Sequence, residues 1–293
     1  MTKIFQHNSD DKGTGVVSSG DRMKKIIKGA DTMILGMPAL VEYTSLRQLV
    51  ELCMKLNLSF IELNMNLPYN FIQNLPPGEL KKITKDTNIK FTMHMPDGAD
   101  LGSFYNSVRK GYIELFSDTL GWAKEAGVDL LNLHILEGAK MTMPDRKIYV
   151  YEQYSEEFTD NFIDSIKALS IKAQKNNIIL AIENSSNFDK RYIQDTLDQA
   201  LKYPNIKLTW DTGHDAVSSF KDQKYLLENT EHIAHMHLHD AKGNNDHQAL
   251  FDGGLDIKGL LKFAQSTNIK VLIEVKTEEA LIKSINRLTR GRG

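Results

Sequence analysis

Residues 206–214 read IKLTWDTGH, a run of apolar and β-branched residues that stops at Asp211 and is followed by the Thr-Gly pair of a turn. The six residues from Ile206 to Asp211, four of them apolar or β-branched, lie between Tyr-Pro-Asn on one side and Thr-Gly on the other and predict a short strand with a carboxylate at its C-terminal end. The same grammar recurs at 32–37 (TMILGM), 59–63 (SFIEL), 89–94 (IKFTMH) and 129–134 (DLLNLH). It recurs again at 178–183 (IILAIE), 233–237 (IAHMH) and 269–274 (IKVLIE).

Between consecutive runs lie segments with helical spacing, among them SLRQLVELCMKL, YIELFSDTLGWAKEAG, NFIDSIKALSIKAQK and IKGLLKFAQS. Strand and helix alternate eight times, which implies parallel pairing, and eight units in about 250 residues is the size of a closed barrel. The expected fold is α/β, a single (β/α)8 TIM barrel over 31–293, preceded by a polar, Gly/Ser-rich N-terminal extension over 1–30. A doubly wound sheet is disfavoured because no glycine-rich phosphate turn follows any strand. The loop over 136–154 is long for a barrel and is a candidate lid. Its Lys140 and Arg146 could meet an anionic group or be solvated loop charges.

The chain has 293 residues, 41% hydrophobic and 25% charged, with net charge -2. That balance carries no basic surplus and argues against a nucleic-acid or anionic-membrane partner. One cysteine, Cys53, sits in an apolar helical pattern and reads as core. The polar N-terminus, the lack of any apolar run near the ~18 residues of a membrane span, and the single thiol together lead to the expectation of a cytoplasmic protein. Assembly into a homo-oligomer is left open.

The polar residues at the strand ends carry the chemistry. Glu62, His94, His134, Glu183, Asp211, His237 and Glu274 each fall at or beside the C-terminal end of a different run. Burying ionisable groups is costly unless they are paired or bound to metal, and this end of a barrel is where active sites sit. Three carboxylates, Glu183, Asp211 and Glu274, would repel one another there, and a divalent cation held with His237 would relieve the repulsion. An oxygen-rich set with one nitrogen suits Mn2+ first, then Mg2+, with Co2+ or Zn2+ favoured if further histidines join. Period-two alternation in HMHLH puts His235, His237 and His239 on one face, His235 deeper and His239 nearer solvent. Glu62 and Lys276 point to the mouth, where either could bind substrate hydroxyls or phosphate or serve a structural role. Trp122 and Trp210 read as core, and His7 and His232 carry no signal.

These residues also resemble the sugar phosphate isomerase/epimerase superfamily of xylose isomerase-like barrels, which includes endonuclease IV. The matching stretches are FTMHMP, NLHI, LAIEN, WDTGH, HMHLHD, NDHQALFDGGLDI and LIEV, covering most of the chain after about residue 30. The resemblance implies metal ligands Glu183, Asp211, His237 and Glu274, with His214 facing the substrate. It places His94, His134, His214 and His247 where endonuclease-like members hold additional metals. Two departures stand out: Asn245 replaces a carboxylate, with Asp246 beside it, and Phe251 replaces a glycine.

The implied enzyme is a metal-dependent isomerase or epimerase of a small carbohydrate-like substrate. Glu183 and Glu274 would remove and return a proton through an enediolate, and Glu62, His94, His134, His214, His247 and Lys276 would contact substrate. The alternative is an endonuclease IV-like metal-dependent phosphodiesterase acting on abasic DNA.

Overall fold

A computed structural model describes residues 33–290. The expected extension over 1–30 lies outside the described residues, as does His7.

Eight parallel strands close into a barrel: β1 (Ile34–Pro38), β2 (Phe60–Asn64), β3 (Lys90–His94), β4 (Leu130–His134), β7 (Ile179–Glu183), β8 (Ile206–Asp211), β9 (Ile233–Leu238) and β12 (Lys270–Ile273). Each pairs with its sequence neighbours in the barrel, and β12 closes on β1. These are the eight predicted runs, shifted by a residue or two at their ends.

Local chemistry explains the helices between them. The helix Leu46–Lys55 starts where Ser45 accepts the backbone N–H of Gln48, and the helix Asn106–Ala126 stops at Gly127, whose φ of 80° suits a residue without a Cβ. Helices and outward-facing strand residues form the main core, including Met37, Leu63, Phe116, Phe162, Leu180 and Trp210, all buried. Trp122 is buried as well, its Nε1 donating to the carbonyl of Leu75 at 2.7 Å. Cys53 is fully buried, and burial pushes its thiol up to about 12. It is a packing residue.

Register decides what meets inside the barrel. Asp211 lies opposite His237, Leu272 opposite His237, His134 opposite Glu183, and Glu62 opposite Thr92. With side chains alternating along each strand, these pairings bring the strand-end polar groups to one level at the C-terminal mouth.

The segment 136–154 is more ordered than expected of a bare loop. β5 (Lys140–Thr142) and β6 (Lys147–Tyr149) form an antiparallel hairpin, followed by a short helix Val150–Gln153. A second antiparallel pair, β10 (Asp240–Lys242) and β11 (Asn245–Gln248), follows β9 and carries His247 to the mouth. The Asp240 carboxylate pins that excursion by accepting the backbone N–H groups of Ala241, Gly253 and Leu255 at 2.8, 2.8 and 3.1 Å.

Candidate metal centre

Glu183, Asp211, His237 and Glu274 are buried at the mouth, and one ligand atom from each lies within 4.8 Å of the others. His237 Nδ1 is 3.1 Å from Glu274 Oε2, 3.4 Å from Glu183 Oε2 and 3.9 Å from Asp211 Oδ2. On the other side of the ring, Nε2 lies 3.0 Å from Glu62 Oε1. A carboxylate there keeps a proton on Nε2, which frees the Nδ1 lone pair for a cation.

The electrostatics ask for positive charge at this point. Burial disfavours a charged His237, yet Glu183, Glu62 and Glu274 outweigh burial and raise its pKa well above the usual histidine range. Burial likewise opposes ionisation of Glu183 and Glu274, but His237 and the neighbouring histidines hold both well below the usual carboxylate range. Both ring nitrogens of His237 and Glu274 Oε2 are buried and make no hydrogen bond, and of these Nδ1 and Oε2 lie 3.1 Å apart. Unpartnered buried polar atoms facing a common point, among carboxylates, fit a divalent ion.

A layer of polar side chains holds the four in place. Glu62 is turned inward rather than open to the mouth: it accepts the Thr92 hydroxyl at 2.8 Å and pairs with His235 Nε2 at 3.0 Å as well as with His237. Burial would raise its pKa, but His237 and His235 bring it far below normal, so it stays ionised. Asn132 donates to Glu183 Oε2 and accepts the Thr209 hydroxyl at 2.6 Å. Asn184 accepts the Asp211 N–H at 2.7 Å and donates to the Asp211 carbonyl at 3.1 Å.

His235 lies deep, as expected. His239 departs from expectation: it is fully buried rather than nearer solvent, because the β10–β11 excursion covers it. Thr92, Asn132, Asn184 and Thr209 were not singled out in the sequence. Their one signal was their place on, or just beyond, the inward face of a strand.

The remaining expected site residues surround this core. His94 donates from Nδ1 to the Met95 carbonyl at 2.7 Å, leaving Nε2 3.3 Å from Glu183 Oε2. Burial disfavours its charge, but Glu183 and then Glu62 raise its pKa to about 9. His134 Nε2, also buried without a hydrogen bond, is 3.3 Å from the same oxygen. His214 Nδ1 lies 3.4 Å from Asp211 Oδ2 and 3.6 Å from Glu183 Oε1. His247 Nε2 lies 3.6 Å from Glu274 Oε1, and Lys276 Nζ binds that oxygen at 2.7 Å.

The sequence pattern of the xylose isomerase-like TIM barrel matches residues 50–290. The chain belongs to that family. It is 22% identical over 200 residues to an uncharacterized protein, MJ1614, of Methanocaldococcus jannaschii, covering 67% of this chain and 74% of that protein. A D-tagatose 3-epimerase-like protein superposes with TM-score 0.72 at 21% identity, over 87% of this chain and 96% of that one. The IolI protein, solved with a zinc atom, superposes with TM-score 0.70 at 15% identity, over 88% and 98%. At these identities the solved structures establish the fold.

Two departures from the usual xylose isomerase-like pattern take definite form. Asn245 is exposed, whereas Asp246 approaches His247 Nδ1 at 2.9 Å and His214 Nε2 at 3.8 Å. Phe251 adopts φ 68°, the left-handed region suited to the glycine it replaces.

Cavities open on both sides of the centre. One of about 570 Å³ runs beside His134 under the hairpin, lined among others by Asp100, Tyr105, Lys140 and Tyr151. Another of about 130 Å³ lies between Leu40, Asn64, Asn66 and the Glu274–Lys276 pair. The cations near the mouth are matched: Lys140 and Lys190 each bind Glu137 at 2.7 Å, and Arg146 binds Asp145 at 2.9 Å. Among the described residues no helix is long and apolar enough to cross a membrane.

Proposed function

We propose that the chain is a divalent-metal-dependent isomerase or epimerase acting on a sugar, sugar phosphate or related keto-polyol. The observation that carries this reading is the convergence of Glu183, Asp211, His237 and Glu274, with the Glu183 and Glu274 carboxylates 3.4 and 3.1 Å from His237 Nδ1. A bound ion, Mn2+ first and Mg2+, Co2+ or Zn2+ otherwise, would supply Lewis-acid polarisation of a substrate carbonyl and acidify the neighbouring C–H.

Glu183 then removes the proton as base and Glu274 returns one, through an enediolate. The neighbouring histidines keep both carboxylates ionised against their burial, so Glu183 can accept a proton, and the proton that Glu274 returns would first pass to it from the Lys276 ammonium 2.7 Å away. His94, His134, His214 and His247 edge the mouth and offer ring nitrogens to substrate oxygens, and Lys276 steadies Glu274. Because Lys140 and Lys190 are paired with Glu137 and Asp189, an uncharged polyol suits this side of the mouth better than a phosphate ester. Two structural neighbours, a D-tagatose 3-epimerase-like protein and IolI with its zinc atom, support the reading. A cytoplasmic setting goes with it, supported by a single buried thiol.

One observation favours a second reading. Glu183 Oε2 faces His94, His134 and His237 nitrogens at 3.3, 3.3 and 3.4 Å, an arrangement suited to a carboxylate bridging two ions, as a metal-dependent phosphodiesterase on abasic DNA would need. Deuterium wash-in from D2O next to the carbonyl, across ketoses with added Mn2+, tests the first reading. Metal content per chain separates the two: one ion supports the isomerase, and two or three with no wash-in refute it.

A further inference from the structure

His214, His239 and His247 bring ring nitrogens within 4.8 Å of one another and could be taken for a further metal site. Hydrogen bonding gives His239 a different role. Its Nδ1 accepts the backbone N–H of His247 at 2.7 Å. A backbone amide can only donate, so that nitrogen carries no proton and the ring proton sits on Nε2. Nε2 lies 3.0 and 3.1 Å from Asp211 Oδ1 and Oδ2. Both nitrogens are committed, and neither is free for an ion.

Asp211 Oδ1 also accepts the His214 N–H at 2.7 Å. The imidazole proton is shared between the two oxygens, but the backbone amide binds Oδ1 alone, so Oδ2 is the less committed oxygen, and it lies 3.9 Å from His237 Nδ1. The seat for the ring is made by the backbone: a Cβ added at Gly213 would lie 1.9 Å from His239 Cε1 and 2.1 Å from its Nδ1, so only glycine leaves the slot open. Its other face stacks on His247, centroids 4.1 Å apart and planes within 4°.

We infer that His239 is a positioning residue of the metal centre, which holds Asp211 to present one oxygen to the ion and ties that carboxylate to the β10–β11 excursion through the His247 amide. This rests on the metal-centre reading above. It is a property of this chain's HMHLHD and WDTGH stretches acting together, since His239 has its seat only because residue 213 is glycine.

The test uses the full chain stripped of metal and reloaded with Co2+ as a spectroscopic probe. Chelator competition gives affinity, the visible band reports coordination, and thermal unfolding of the metal-free forms gives the structural cost alone. His239→Leu and Gly213→Ala are expected to weaken Co2+ binding about 10–100-fold and shift the band, as loss of a group orienting a ligand does. His239→Gln, whose amide N–H can reach Asp211, is expected to recover most of the affinity.

Wild-type affinity and an unshifted band in His239→Leu would overturn the inference, whatever its melting temperature. Should that variant fail to fold, the other two decide. Gly213→Ala binding more weakly than His239→Gln supports the inference, and equal binding by both overturns it. A wild-type chain that binds no Co2+ removes the metal-centre reading and this inference together, whereas tight wild-type binding with an unaffected leucine variant removes only the inference.

Discussion

Replacing Glu62 with glutamine tests whether a carboxylate that touches no substrate sets the metal affinity. The Thr92 hydroxyl at 2.8 Å and His235 Nε2 at 3.0 Å hydrogen-bond to its Oε2, and His237 Nε2 lies 3.0 Å from its Oε1 as an ion pair. Glutamine keeps the shape but offers one acceptor oxygen, and its NH2 must face either the two groups at Oε2 or the His237 nitrogen at Oε1. If His237 is the ring displaced, its proton moves to Nδ1, the atom turned toward Glu183 and Glu274.

Loss of such a partner weakens metal binding about 10–100-fold. At free metal 1,000 times Kd, binding stabilises the native state by about 4.1 kcal/mol. A hundredfold weaker site at the same concentration contributes about 1.4 kcal/mol, a difference of about 2.7 kcal/mol. At about 2–4 °C per kcal/mol for a chain of this size, the Mn2+-induced rise in Tm should shrink by roughly 5–10 °C. Thermal unfolding of wild type and Glu62→Gln, each with and without Mn2+, reads this directly. An equal Mn2+-induced rise in both proteins would refute the reasoning.

Glu183→Gln should lower turnover about 10²–10⁴-fold while the metal-free Tm stays within a few degrees of wild type; near-full activity with metal still bound would reject Glu183 as the base. Phe251→Gly should stabilise by about 1 kcal/mol, raising Tm by about 2–4 °C, because it relieves a left-handed φ of 68° at a residue already 37% exposed. Asp215, buried and beside Asp222, has its pKa pushed up from 3.8 to about 7, burial being the larger cause. Since the folded state holds that proton more tightly than the unfolded chain, its stabilising contribution is complete below about pH 4 and is lost as pH rises through about 7. Asp215→Asn should therefore gain on wild type between pH 5 and pH 8 in urea midpoints, and a constant gap would count against it.

The eight strands and the barrel were legible in the sequence because alternation of short apolar runs with 3.6-period segments is a local property, set by side-chain transfer and backbone geometry within each unit. The ring of Glu183, Asp211, His237 and Glu274 was legible for a related reason: each falls at or next to the C-terminal end of its strand, and parallel strands in one closed sheet carry their ends to one face. What could not be read was the direction of each polar atom. Glu62 looked like a substrate contact and turned inward onto two histidines. His239 looked solvent-facing and proved buried, and the segment 136–154 looked like a bare loop and formed a hairpin.

Asn132, Thr209 and Asn184 carried no signal alone, since a hydrogen bond between strands far apart in sequence depends on register, which only the closed barrel sets. The chain by itself determined the fold and the inventory of chemical groups at its mouth. Tertiary structure decided which nitrogen or oxygen of each group is spent on its neighbours and which is left for a ligand, because that division depends on distances of about 3 Å between residues that the sequence holds far apart.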